Sequence, residues 1–270
     1  MKVALITGAA RGIGAATARA FAQAGYAVVA LDVLVDDLGR VVESIKAEGH
    51  EALGLVADLA SLDKLEAAVE RVAAKWGRID VLVNNGAARD LKSIRQITPE
   101  AWNRIISTNL TAPAFLMKWV EPHMRPAGGG VMINVASVEA HIPKGVAAAY
   151  AAAKGGLLSL TYDAASALAG ARIRVLAVSP GAVDTDIGRY FDPDSESDDS
   201  ELDQEIRNAS EELIPMHRWA EPEEIAEVIL WLAGDGASYI TGTEITVDGG
   251  LIHTWMPRHL KNRIQPGQFE

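Results

Sequence analysis

Seven short apolar runs, each bounded by turn residues, punctuate the chain: "VALIT", "AVVALD", "ALGLVAD", "DVLVNN", "VMINVAS", "RIRVLAVSP" and "GTEITVDGG". Most are near-continuous Val, Ile, Leu and Ala rather than an apolar/polar alternation, the pattern of strands covered on both faces. Between them the apolar positions recur at helical spacing. Strand and helix in regular alternation predict an α/β fold: a doubly wound, Rossmann-like, mostly parallel seven-stranded sheet with helices on both faces.

The first helix is expected to open after Gly12, the second to cover about 36–48, and the third about 61–76 with Ser61 as its cap. A longer helix starts with Thr98 as N-cap and Pro99 at the first helical position, and another contains "AAAYAAAKGG" at 147–156. No internal repeat or linker interrupts residues 1–250, so one domain is expected there. Residues 189–219 are strongly acidic and break the rhythm. Their place after the sixth strand, at the edge where such sheets bind ligands, favours a substrate lid at about 186–219 over a solvated insertion. Residues 251–270 form a C-terminal extension, read as an arm to a neighbouring subunit or a loose tail.

Composition narrows the function. A net charge of −11 opposes binding to a phosphate backbone, and none of the apolar runs reaches the roughly 18 residues of a membrane span. A cytoplasmic protein without a signal peptide is expected. The absence of cysteine excludes disulfides and thiolate chemistry, and the six histidines, which show no closely spaced pair with a convincing acidic third ligand, predict no catalytic metal.

"LITGAARGIG" sets Gly8, Gly12 and Gly14 between the first strand and the first helix. Glycines permit positive φ and close approach of a pyrophosphate, which the amides and dipole of the following helix attract. Asp32, 18 residues past Gly14, stands where a carboxylate meets adenosine ribose hydroxyls and repels a 2′-phosphate. NAD is therefore favoured over NADP, although Arg11 in the glycine turn could meet such a phosphate if it does not simply face solvent. Asp58 could accept from the adenine amino group, cap the following segment, or do both. Tyr150 and Lys154, four residues apart, share one helix face.

"TGAARGIG", "NNGA" at 84–87, Ser137, "YAAAK" and "PGAVDT", in this order, resemble the short-chain dehydrogenase/reductase family of the classical type over about residues 2–250. The resemblance implies an NAD(P)-dependent alcohol and ketone oxidoreductase, usually dimeric or tetrameric. It implies that Gly8, Gly12, Ile13 and Gly14 hold the cofactor turn, that Asp58 and Leu59 border the adenine, and that Asn85 and Gly86 lie beside its ribose. Pro180, Gly181, Val183 and Thr185 match the segment that holds the nicotinamide carboxamide. Asn109, Ser137, Tyr150 and Lys154 match the catalytic four, with Tyr150 and Lys154 also at the cofactor. The family's usual Asn-Asn-Ala-Gly is here Asn84, Asn85, Gly86, Ala87, a shift of one position in the backbone near the adenosine.

In this setting Tyr150 serves as general acid/base, and Lys154 is expected to acidify it. An ammonium about 4 Å away at an effective dielectric of ~20 favours a phenolate by roughly 4 kcal/mol, about 3 pKa units. Ser137 would hold the substrate oxygen, and the resemblance implies that Asn109 marks a helix kink supporting a water chain from Lys154. Arg89, Glu139, His141, Lys144, Asp186 and Arg189 could line the mouth. Of these, Glu139, His141 and Arg189 are the substrate candidates, polar enough for a sugar, polyol or hydroxy acid. The helix carrying Trp102, Phe115, Met117 and Trp119 and the alanine-rich helix with Leu157, Leu158 and Leu160 could pack against copies of themselves, giving a homotetramer or homodimer, with core packing inside the monomer as the rival. The rival functions are an NADPH-dependent carbonyl reductase, such as a 3-oxoacyl reductase, and a non-catalytic dinucleotide sensor.

Overall fold

In the computed structural model, which describes residues 1–185 and 200–268, the apolar runs become seven parallel strands. They are β1 (Val3–Thr7), β2 (Ala27–Asp32), β3 (Ala52–Val56), β4 (Val81–Asn84), β5 (Gly130–Val135), β6 (Ile173–Pro180) and β7 (Glu244–Val247). Their order is β3-β2-β1-β4-β5-β6-β7, so the winding reverses beside β1. Each strand's alternate residues feed opposite layers. Ala4 and Ile6 join one core beneath α1 (Gly12–Gln23), α2 (Val35–Ala47) and α8 (Pro222–Ala233), while Val3 and Leu5 join the other beneath α3 (Leu62–Trp76), α5 (Ala112–Met124) and α6 (Ala148–Leu168). A strand buried on both faces can be apolar throughout, which is why the strand pattern was continuous.

Local signals mostly carry through. Thr98 Oγ1 accepts from the amide of Ala101 at 3.2 Å, with Pro99 opening α4 (Pro99–Ile106). Ser61 occupies the N-cap position of α3 but makes no side-chain cap; the turn before it is held instead by Asp58, whose Oδ1 accepts from the amide of Ala60 at 2.9 Å. The long helix around Asn109 is interrupted by a π-helical turn, Ser107–Thr111, between α4 and α5. "STNLT" is poor in helix formers, and the extra residue turns Asn109 inward, where it is fully buried.

Two expectations about surfaces are corrected. Met117, Leu157 and Leu158 are buried within the monomer core, so they are unavailable to a second copy. The C-terminal residues are not a loose tail: α9 (Arg258–Ile264) packs on α7 (Ser200–Leu213), and the amide of His259 donates to Glu212 Oε2 at 3.3 Å. Of the acidic segment, the part from 200 onward includes α7, whose Arg207 reaches Asp184 at 2.9 Å and lies over the Trp219 ring. Asp186 and Arg189 fall outside the described residues. Among the described residues no helix is long and apolar enough to cross a membrane.

The tightest backbone approach is at Gly14, where a Cβ would collide with the carbonyl oxygen of Gly8. Gly14→Ala is therefore expected to destabilise the fold by about 2 kcal/mol, the cost of overpacking, read as a lower urea midpoint with an unchanged slope.

Candidate active site

Because all seven strands run the same way, the glycine turn, Asp32, Asn85, Ser137 and Pro180 all emerge at one edge of the sheet. The glycine turn is built by its neighbours. Gly8 and Gly12 take φ of +64° and +49°, open only to glycine at low cost. Thr7 Oγ1 accepts from the amides of Asn85 and Gly86 at 3.1 and 3.0 Å, and Asn85 Nδ2 donates to the carbonyls of Thr7 and Gly8 at 3.0 and 3.1 Å. Asn85 thus shapes the turn, where its motif implies only proximity to the ribose; Thr7 shares the task, although one threonine ending a strand carries no signal in the sequence. A Cβ on Gly86 would stand 2.5 Å from Leu59 Cδ1 and 3.0 Å from the amide nitrogen of Gly8. A side chain at the shifted glycine of "NNGA" would therefore require Leu59 and the glycine turn to give way.

Further along the edge, Asp32 accepts from the amide of Ala10 at 3.0 Å and from those of Val33 and Leu34 at 2.7 and 3.0 Å. It ties β2 to the glycine turn. Arg11 does not simply face solvent: it is ion-paired with Asp37, which also holds Arg40. Asp58 is exposed and serves as the turn cap described above. Opposite the turn, Gly181 donates to Val247 O at 2.9 Å, Val183 bridges to Ala220, and the Thr185 methyl is 3.0 Å from where a Cβ of Gly12 would stand. Ile13 and Val183 pack partly buried on the same core. A cradle floored by glycines, opened by a helix N-terminus and faced by the 181–185 segment fits a dinucleotide.

Beside the cradle, α6 carries the reactive pair. A polar ladder seats this helix: Asn84 Nδ2 donates to Asn134 Oδ1 at 2.8 Å, Asn134 Nδ2 to Thr161 Oγ1 at 2.9 Å, and Thr161 Oγ1 to Leu157 O at 2.7 Å. Lys154 is 2% exposed, and its Nζ donates to Val135 O at 2.6 Å. Burial lowers its amine to about 8. Ser137 opens the loop after β5, with its Oγ accepting from the amide of Glu139 at 3.1 Å. Asn109 grips the loop after β4, accepting from Ala88 N at 2.8 Å and donating to Ala88 O at 2.6 Å.

The electrostatics of Tyr150 correct the sequence expectation. Burial raises its phenol above the ordinary value; the Arg89 guanidinium opposes that, Glu139 adds to it, and a hydrogen bond with Ser137 opposes it. The amine of Lys154 faces the same ring. Directed at Val135, it stands 5.5 Å from the ring centroid and is itself desolvated. A second cation at Tyr150 is Arg89, whose guanidinium carbon is 5.4 Å from the ring centroid and whose Nη2 meets Glu139 Oε1 at 2.6 Å. Glu139 thus joins the site. His141 does not: its Nε2 pairs with Glu244 at 2.8 Å, at the start of β7. Among the described residues no three acidic or histidine side chains converge as metal ligands.

Known proteins are similar to this chain over most of its length. A family model described as Enoyl-(Acyl carrier protein) reductase matches residues 8–252. Cis-4-hydroxycyclohexanecarboxylate dehydrogenase of Sinomonas cyclohexanicum is 39% identical over 252 residues, 92% of this chain and 96% of that protein. A 3-oxoacyl-(acyl-carrier-protein) reductase of Thermotoga maritima is 39% identical over 252 residues, 93% of this chain and 98% of that protein. The solved structure of a short-chain type dehydrogenase/reductase from Mycobacterium marinum superposes with a TM-score of 0.83 at 31% identity, covering 93% of this chain and 95% of that one.

The buried amine makes a linkage prediction. Lys154 titrates at about 8 in the folded chain and near 10.5 when unfolded, so the folded state holds fewer protons between these values. Its unfavourable contribution is fully present below the folded value and fades as pH rises toward the unfolded one. Relative to Lys154→Met, the parent should gain stability from pH 8 to 10, measured by urea unfolding; parallel stability curves would show that the amine is not desolvated.

Proposed function

Because the chain belongs to the short-chain dehydrogenase/reductase family, we propose that it is an NAD-dependent dehydrogenase interconverting a secondary alcohol and a ketone on a polar substrate such as a sugar, polyol or hydroxy acid. The family's oxidoreductase chemistry on alcohols is established by its relatives; cofactor choice and substrate are the proposal. The observation carrying it is the convergence of Ser137, Tyr150 and Lys154 beside a glycine cradle that ends at Asp32.

On this reading each residue has a task that its setting supports. A bound nicotinamide dinucleotide supplies the hydride acceptor or donor. Gly8, Gly12, Ile13 and Gly14 hold its phosphates, Asp32 its ribose, Leu59 and Asn85 with Gly86 its adenosine end, and Pro180, Gly181, Val183 and Thr185 its carboxamide. Ser137 holds the substrate oxygen, and Tyr150 Oη gives that oxygen a proton in reduction or removes it in oxidation. Burial keeps the phenol protonated by default, which suits the acid role, and Lys154 adds a cation at the floor of the site. Asn109 acts through the backbone of Ala88, and the water chain it supports would return protons to solvent.

Asp32 supports NAD because its carboxylate is fixed by three amides at the end of β2. The neutralised Arg11 offers little to a 2′-phosphate. The NADPH-dependent reductase reading rests on Arg11 and Arg40, both at Asp37 beside the same end of the sheet. The segment at about 186–219 is proposed as a lid, supported by the tether of Arg207 to Asp184 in the carboxamide segment. A homotetramer is proposed through α4 and α6, where Trp102 and Tyr162 remain exposed. Sedimentation of a monomer at micromolar concentration would remove it.

With sugars, polyols, hydroxy acids and secondary alcohols followed at 340 nm, turnover is expected with NAD. Tyr150→Phe should lower it by about 100- to 10,000-fold while leaving dinucleotide affinity nearly intact. Full activity in that variant would refute the assignment. In calorimetry NAD should bind more tightly than NADP, and the reverse order would establish the rival.

A further inference from the structure

We propose that the buried Arg89–Glu139 ion pair is the positioning device of Tyr150, closing a ring of contacts around the phenol and balancing the charge it feels. The inference deepens the acid/base reading of Tyr150 and rests on it.

The pair is a product of sheet register. Asn84 and Asn134 are partners across β4 and β5, and Arg89 and Glu139 each lie five residues beyond them. Two loops leaving adjacent parallel strands thereby meet above the sheet edge. Arg89 Nη2 reaches Glu139 Oε1 at 2.6 Å, with side-chain exposures of 15% and 6%. Glu139 in turn donates its amide to Ser137 Oγ, and the guanidinium of Arg89 lies over the Tyr150 ring. Asn109 holds both backbone polar groups of Ala88, the residue before Arg89. Asn109, Arg89, Glu139, Ser137 and Tyr150 therefore form one continuous chain of contacts, with the pair as its middle link.

A pair this deeply buried adds little net stability, because desolvation offsets the attraction, so its position calls for another reason. The charged surroundings of Tyr150 supply one. From the β4 loop comes Arg89; from the β5 loop come Glu139, the Ser137 hydroxyl and Lys144, which stands 3.6 Å from Glu139; from α6 itself comes Lys154. On the α4 side the packing is apolar, through Ile105, Ile106 and Leu110. Arg89 and Glu139 act on the phenol in opposite directions, the cation favouring the phenolate and the carboxylate opposing it. Neutralising one member must move the phenol one way, and neutralising the other must move it back.

The test reads Tyr150 without turnover, so that it can fail independently of the substrate assignment. The chain is labelled with 13C at the tyrosine ζ carbon and titrated by NMR with and without saturating NAD. It has five tyrosines, and the signal lost in Tyr150→Phe identifies the one of interest. Glu139→Gln should lower its ionisation pH by about one unit, tenfold in the constant, and Arg89→Gln should raise it by about as much. Arg89→Lys, which keeps the charge, should stay near the parent, and the Arg89→Gln/Glu139→Gln double variant should return toward it. If Arg89→Gln does not fold, Glu139→Gln and the double variant still decide, since only a charge effect reverses between them. Shifts of the same sign in folded single variants, an unmoved signal in Glu139→Gln, or a double variant displaced further than Glu139→Gln would overturn the proposal.

Discussion

A buried ammonium must find an oxygen, and in this chain Lys154 finds the carbonyl that ends β5. That requirement locks the start of α6 over the carboxyl edge of the sheet and sets Tyr150, one turn earlier, above the loops leaving β4 and β5. The Asn84–Asn134–Thr161 ladder fastens the same helix deeper in the layer. Two buried polar systems, each costly if left unsatisfied, thus specify one orientation of α6, and the reactive face follows from it.

The glycine cradle depends on a comparable economy. Gly8 and Gly14 meet neighbouring backbone so closely that no side chain fits there, and Thr7 and Asn85 bind the segments of backbone together. Asp32 joins from β2. Loops that would otherwise be the mobile part of an α/β fold are here hydrogen-bonded across the switch point, which preorganises them for a charged ligand.

The electrostatics of Tyr150 show how a site differs from the sum of its motif. Proximity of a lysine in sequence suggested an acidified phenol. In the folded chain, burial dominates and drives phenol and amine alike toward their neutral forms. A second cation at the ring, Arg89, comes from a different loop and arrives already paired with a carboxylate.

Much of this was legible in the residues alone. Near-continuous Val, Ile and Leu runs announced a doubly covered parallel sheet, since a strand buried on both faces has no polar side to show. Gly8, Gly12, Gly14, Asp32, Thr98 with Pro99, and the Tyr150–Lys154 spacing signal through local backbone and helix geometry, which a few neighbouring residues determine. Other features needed the tertiary structure because they join residues far apart in the chain: Asn85 to the glycine turn, Arg11 to Asp37, His141 to Glu244 and away from the site, and the ends of α7 and α9 to each other. Arg89 and Glu139 are the clearest case. Fifty residues apart and unremarkable in isolation, they meet only because strand register carries two loops to the same height.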